Sequence, residues 1–375
     1  MNRTQFLILV IALVVLGGVG MYMFRQNVAE YQETGAKIGA KVLPSLKVAD
    51  VAQIELRDAK GSATLVRKES YWVVQERENY PADFKAISDL IIKLADLKVV
   101  QNDTVSEAGM GAVELREPGK GEGAGTRVEL KDSGGKTLAA LVIGKVVLKK
   151  DPLNPLPSAV DGVPAGRYIR VLTPKEQVVI VSDPLSNAQA QPGRWLDKDF
   201  AKIDRIKTLT VSGASDWKIT RDEEWGQWKL VGGGDLNASA AVGAVNALNQ
   251  LSFNDVVTGK LEDEGKPTIV TAETFDDLTY TLRVTKRKQG PDYLLNVAVA
   301  GEPPRERPVE KGEKAEDKER RDKDFAESRK RLELRIARDK ARSGWTYVVE
   351  AKQVEPLLRS RADLIAPPRK KENSR

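Results

Sequence analysis

The chain has no histidine and no cysteine, so imidazole acid–base work, thiolate nucleophiles, disulfides and zinc sites of the Cys/His type are excluded. Reactive chemistry would have to come from serines, lysines and carboxylates. Ser45 and Lys47 are close enough in sequence to form a serine–lysine pair, but no third group is placed to orient the base. Asp222-Glu223-Glu224 and Glu262-Asp263-Glu264 could hold a hard cation, yet neither has the alternating spacing of a calcium loop, and both read as solvated turns. Gly232-Gly233-Gly234 precedes a helix in the manner of an anion-cradling loop. It lacks the Gly-Lys-Ser/Thr ending of a phosphate loop, and a flexible connection explains it better. We assign no catalytic, cofactor-binding or metal-binding residue.

Aromatic side chains are the other candidates. Trp72 and Trp228 occupy equivalent strand positions and could stack on a ligand, although a strand tryptophan beside a helix more often packs in a core. Trp195 lies between two halves of the chain and is read as a plug at an inter-module junction.

These candidates sit on a duplicated framework. Val51–Leu56 reappears as Ile203–Leu209, and Tyr71-Trp72-Val73-Val74 as Gln227-Trp228-Lys229-Leu230. Asp83–Leu97 aligns without a gap on Asn237–Leu251, which places Leu94 on Leu248. Late in each copy, Arg167–Leu172 matches Gly344–Val349. Alternating strands around Asp58–Ser62 and Ser133-Gly134-Gly135 read as hairpins. Phe84, Ile87, Leu90, Ile91 and Leu94 follow Asp83 at helical spacing. Pro174 is placed to begin a short helix over 175–181.

The formal charge of +6 is unevenly distributed. Residues 302–375 hold 22 basic and 16 acidic side chains, and the rest of the chain is balanced. That mixture fits an anionic membrane face or an acidic partner better than nucleic acid, which calls for a one-signed basic stripe. Phe6 to Phe24 is an uncharged run of 19 residues, roughly 28 Å as a helix and close to the thickness of a bilayer core. It reads as a retained single-pass anchor. The competing reading is a cleaved signal peptide with Gly18-Val19-Gly20 at the cleavage site.

The expected organisation is α+β: a transmembrane helix over 1–24, a stalk over 25–47, and module one over 48–185. A linker (186–200), module two (201–364) and a basic disordered tail (365–375) follow. Each module is expected to be a mainly antiparallel sheet with one principal packed helix. Module two carries a charged insertion, 302–343, placed where the first copy has a Pro-rich loop. From Lys314 it reads as a helix rich in i,i+4 acid–base pairs. Phe325, Leu332 and Ile336 form a narrow apolar stripe along it, the candidate partner-binding residues.

The stretch from Tyr71-Trp72-Val73-Val74 through Pro81-Ala82-Asp83 to Leu94-Ala95-Asp96-Leu97 resembles the signature of a bacterial, membrane-anchored family of unknown function. Its members occur beside gliding-motility-type ABC transporter components. The resemblance implies a non-enzymatic, envelope-facing accessory or scaffold subunit of an ABC-type transport system. Permease and ATPase subunits would be its partners, and the inner membrane its location, with the bulk of the chain on the periplasmic or extracytoplasmic side. It implies no cofactor. An extracytoplasmic ligand-binding sensor using the cleft between the modules is the alternative from another class.

Overall fold

The computed structural model describes residues 37–149, 163–213, 215–258, 265–288, 290–307, 309 and 313–367. The chain divides into two compact units, Met1–Trp195 and Leu196–Arg375.

In the first unit, β1 (Gln53–Arg57), β2 (Ser62–Arg67), β3 (Trp72–Val74) and β4 (Tyr80–Pro81) lead into helix α1 (Phe84–Asp96). β5 (Val99–Asn102), β6 (Thr126–Lys131), β7 (Thr137–Lys149), β8 (Val163–Thr173) and β9 (Gln177–Val181) follow. They form one nine-stranded sheet in the order β4-β3-β2-β1-β6-β7-β8-β9-β5. The alternation that builds it is visible in β1, where Ile54 and Leu56 are buried and Gln53, Glu55 and Arg57 are not. Helix α1 begins where Asp83 accepts a hydrogen bond from the Ala86 amide at 3.0 Å, a side-chain cap. Its periodicity places Ile87, Leu90, Ile91 and Leu94 in the core.

The second unit contains β10 (Ile206–Ser212), β11 (Trp217–Thr220), β12 (Lys229–Leu230), helix α2 (Ala238–Asn249) and β13 (Asp255–Val256). β14 (Thr268–Thr274), β15 (Leu278–Lys286), β16 (Tyr293–Gly301), helix α3 (Ala315–Ala341) and β17 (Tyr347–Val349) follow, and a one-turn helix, Ala351–Val354, comes after β17. Its eight-stranded sheet runs β12-β11-β10-β14-β15-β16-β17-β13. Without β4, the first order maps onto the second strand for strand, and each unit's principal helix falls at the same point in the chain. Asn237 caps α2 as Asp83 caps α1, accepting from the Ala240 amide at 3.3 Å.

Three expectations are corrected. The α+β description gives the helices too much weight: two antiparallel sheets make up most of the structure, with few helices. Period-two alternation builds strands such as β1, β14 and β15, and helical periodicity is confined to a few segments. The expected single-pass membrane helix is not found, because among the described residues no helix is long and apolar enough to cross a membrane. The longest, α3, is dominated by charged side chains. The run Phe6 to Phe24 lies outside the described residues, as do Glu262-Asp263-Glu264 and much of the tail.

The third correction concerns the repeat. Residues Tyr168–Leu172 belong to β8, whose counterpart is β16, whereas Tyr347–Val349 is the counterpart of β9. Residues 177–181 therefore form a strand and not a helix; the run Val178-Val179-Ile180-Val181 is β-branched throughout and packs at the sheet. The charged insertion consequently replaces the short β8–β9 turn at 174–176, not the Pro-rich loop.

Candidate partner-docking groove

Helix α3 spans 27 residues, about 40 Å at 1.5 Å per residue, between two strands whose counterparts in the first unit are joined by a tight turn. Glu316 and Asp317 lie in its first turn and Arg338 and Lys340 in its last, the arrangement a helix dipole favours. Its two halves are held differently. In the C-terminal half, Ile336 is only 5% exposed, and Asp339 and Arg342 are buried with it. The Tyr280 hydroxyl of β15 donates to Asp339 at 3.3 Å, and the Tyr347 hydroxyl of β17 donates to the Arg342 carbonyl at 3.1 Å.

Alongside this packing runs a ladder of ion pairs to the segment entering β10. Arg335 donates to Asp204 at 3.1 Å, Arg338 to Asp199, and Arg342 to Asp197 at 2.5 Å. The N-terminal half is tied to the strap that leads into it. Arg307 reaches Glu313 and Asp322, each at 2.6 Å, and Arg329 donates to the Arg305 carbonyl at 3.3 Å.

Between these two regions the helix borders an open groove of about 630 Å³. Phe325 and Leu332 line it from α3, Pro303 and Pro304 from the strap, and Asp204 and Arg205 from the body. The volume falls in the range of ligand- and peptide-binding clefts. Charged groups on its walls are mostly paired: Arg205 is held by Asp276 and by Glu224. Burial pushes the Asp276 carboxyl above its ordinary range, with the Arg205 guanidinium pulling against it. Burial likewise raises the Asp339 carboxyl, opposed by Arg338 and the Tyr280 hydroxyl, and raises Tyr280 well above an ordinary phenol.

The stripe expected from sequence is therefore divided. Ile336 is packed inside its own unit, while Phe325 and Leu332 are half-buried at the cavity. Trp195 is 2% exposed. Its indole donates to the Gln189 carbonyl at 2.7 Å, and its own carbonyl accepts from the Asp83 amide at 2.8 Å, so both bonds stay within the first unit. Trp72 is buried; Trp228 is half-exposed, with the Arg221 guanidinium 4.7 Å over its ring.

Other candidates form no reactive group. Ser45 and Lys47 are both exposed ahead of β1. Asp222 pairs with Lys229 at 2.6 Å. The Gly232-Gly233-Gly234 loop directs carbonyls, not amides, at a charged group: Arg361 donates to the Val231 and Gly233 carbonyls at 2.9 and 3.0 Å. Among the described residues there is no cluster of three or more metal-ligating side chains. The aspartate–arginine ladder was missed in the sequence, although Arg335, Arg338 and Arg342 share one helix face. No family model, curated protein or solved structure matches the chain.

Proposed function

We propose that the groove beneath α3 receives a segment of a partner protein, and that the chain is a non-enzymatic, envelope-facing accessory or scaffold subunit of an ABC-type transport system. One observation carries the docking reading: Phe325 and Leu332 continue the stripe of the buried Ile336 but open onto a cavity of about 630 Å³. Apolar side chains held half-covered at a concave site are what a docking surface requires. The transport context rests on the resemblance of Tyr71 to Leu97 to the signature of the gliding-motility-associated family, a resemblance of sequence alone. A sequence without histidine or cysteine, with most of the charged groups on the groove walls paired, supports a binding role over a catalytic one. Affinity isolation of the full chain from its own cells tests the assignment. A permease and an ATPase should be recovered with it, and recovery of neither overturns the transport role.

A further inference from the structure

The groove's charges specify the partner more narrowly, given the docking reading above. Arg331, Arg335, Arg338 and Arg342 lie on one face of α3, at intervals of four, three and four residues. Three of them meet aspartates of the same unit: Asp204, Asp199 and Asp197 in turn. The fourth, Arg331, is exposed on the groove wall, donates to the Ser328 hydroxyl at 3.3 Å, and forms no ion pair among the described residues. Seven residues earlier on the same face, Asp324 also lines the groove and has no counter-charge among the described residues. Phe325 and Leu332 repeat the same seven-residue interval beside them. One helix face is thus covered by the unit from 335 onward and left open over 324–332, with an acid and a base two turns apart, about 10 Å along the axis.

We infer that the groove takes an amphipathic helix of about two turns from a partner protein. Two apolar residues seven apart pack on Phe325 and Leu332, a carboxylate completes the arginine ladder at Arg331, and a basic side chain faces Asp324. A heptad interval flanked by opposite charges is the complement a helix offers, and the charges fix its direction and register. A second copy of α3 running antiparallel would meet the same charges. Its remaining turns, however, would run along 336–342, a face the unit already covers, so the occupant is a short segment.

The test places the photo-reactive residue p-benzoylphenylalanine at Ser328 of the full chain in its own cells, and the cross-linked peptide is sequenced. The expected peptide has apolar residues seven apart flanked by one acid and one base. Arg331→Glu should lower the cross-link yield at least about tenfold, as for reversal of one member of an interfacial charge pair. Changing the partner's acid to arginine should restore it. Lys330→Glu, on the outward face, should leave the yield unchanged, and both variants should melt like the parent. Any of four results overturns the inference: a peptide without this pattern, a cross-link between two α3 helices, no cross-link, or a yield indifferent to both Arg331→Glu and Asp324→Lys. A cross-link of the expected pattern to a protein outside any transporter would remove the transport assignment alone. Recovery of permease and ATPase with a failed cross-link would remove this inference alone.

Discussion

Asp339 links the arm to the second sheet through a buried carboxylate whose proton affinity is raised by burial, against the pull of Arg338 and Tyr280. In the unfolded chain this carboxyl loses its proton at the ordinary value, whereas in the folded chain it holds the proton to higher pH. Over that interval the folded state binds more protons, so this residue's contribution to stability falls as pH rises. Asp339→Asn should remove that component. The parent's stability minus the variant's should decline across the interval above the ordinary carboxylate value and then level off; denaturant titrations over a pH series measure it, and parallel curves would refute the assignment. Core residues give a second residue-scale prediction. Leu94 and Leu248 are both fully buried on equivalent helices, so alanine at either should cost about 2–5 kcal/mol. Lys93→Ala, at a half-exposed position, should cost well under about 1 kcal/mol in the same unfolding assay. These leucines were legible from 3.6-residue spacing and from the ungapped alignment of the two helices. The aspartate–arginine ladder was not, because its partners lie 131 to 145 residues apart, and pairing across that distance is fixed by the sheet's topology, not by local pattern.

Among the elements, α3 is the departure from the repeat. Its C-terminal end belongs to the packed unit and its middle is the wall of a groove. The ladder's rungs should differ accordingly. Arg342 is buried, so Asp197→Ala removes a charge-assisted hydrogen bond from a dry setting and should cost about 1–3 kcal/mol. Asp199 is more than half exposed, and Asp199→Ala should cost less than about 1 kcal/mol. Equal costs in equilibrium unfolding would mean that the ladder does not grade from buried to exposed. Sequence identified α3 as a helix through its i,i+4 charge pattern, but misplaced it within the repeat. Tyr168–Leu172 and Trp345–Val349 have the same strand-like alternation, so composition alone could not tell the penultimate strand from the last. Residues 177–181 were read as helical because a proline sits ahead of them, although four successive β-branched side chains favour a strand.

For the whole molecule, the described parts of the two units share one strand order and one helix position, and their differences include β4 and the arm that replaces a short turn. The arm is where function is most economically sought: the shared framework builds two similar scaffolds, and among the described residues only the second carries a groove walled by an added helix. The most direct measurement compares Leu332→Asp, inside the groove, with Leu334→Asp, on the outward face of the same helix and 66% exposed. Both proteins should fold and melt close to the parent. If the groove docks a partner, Leu332→Asp should lose the proteins that co-purify with the full chain, while Leu334→Asp retains them. Retention of every partner by Leu332→Asp, or equal loss from both variants, would contradict it.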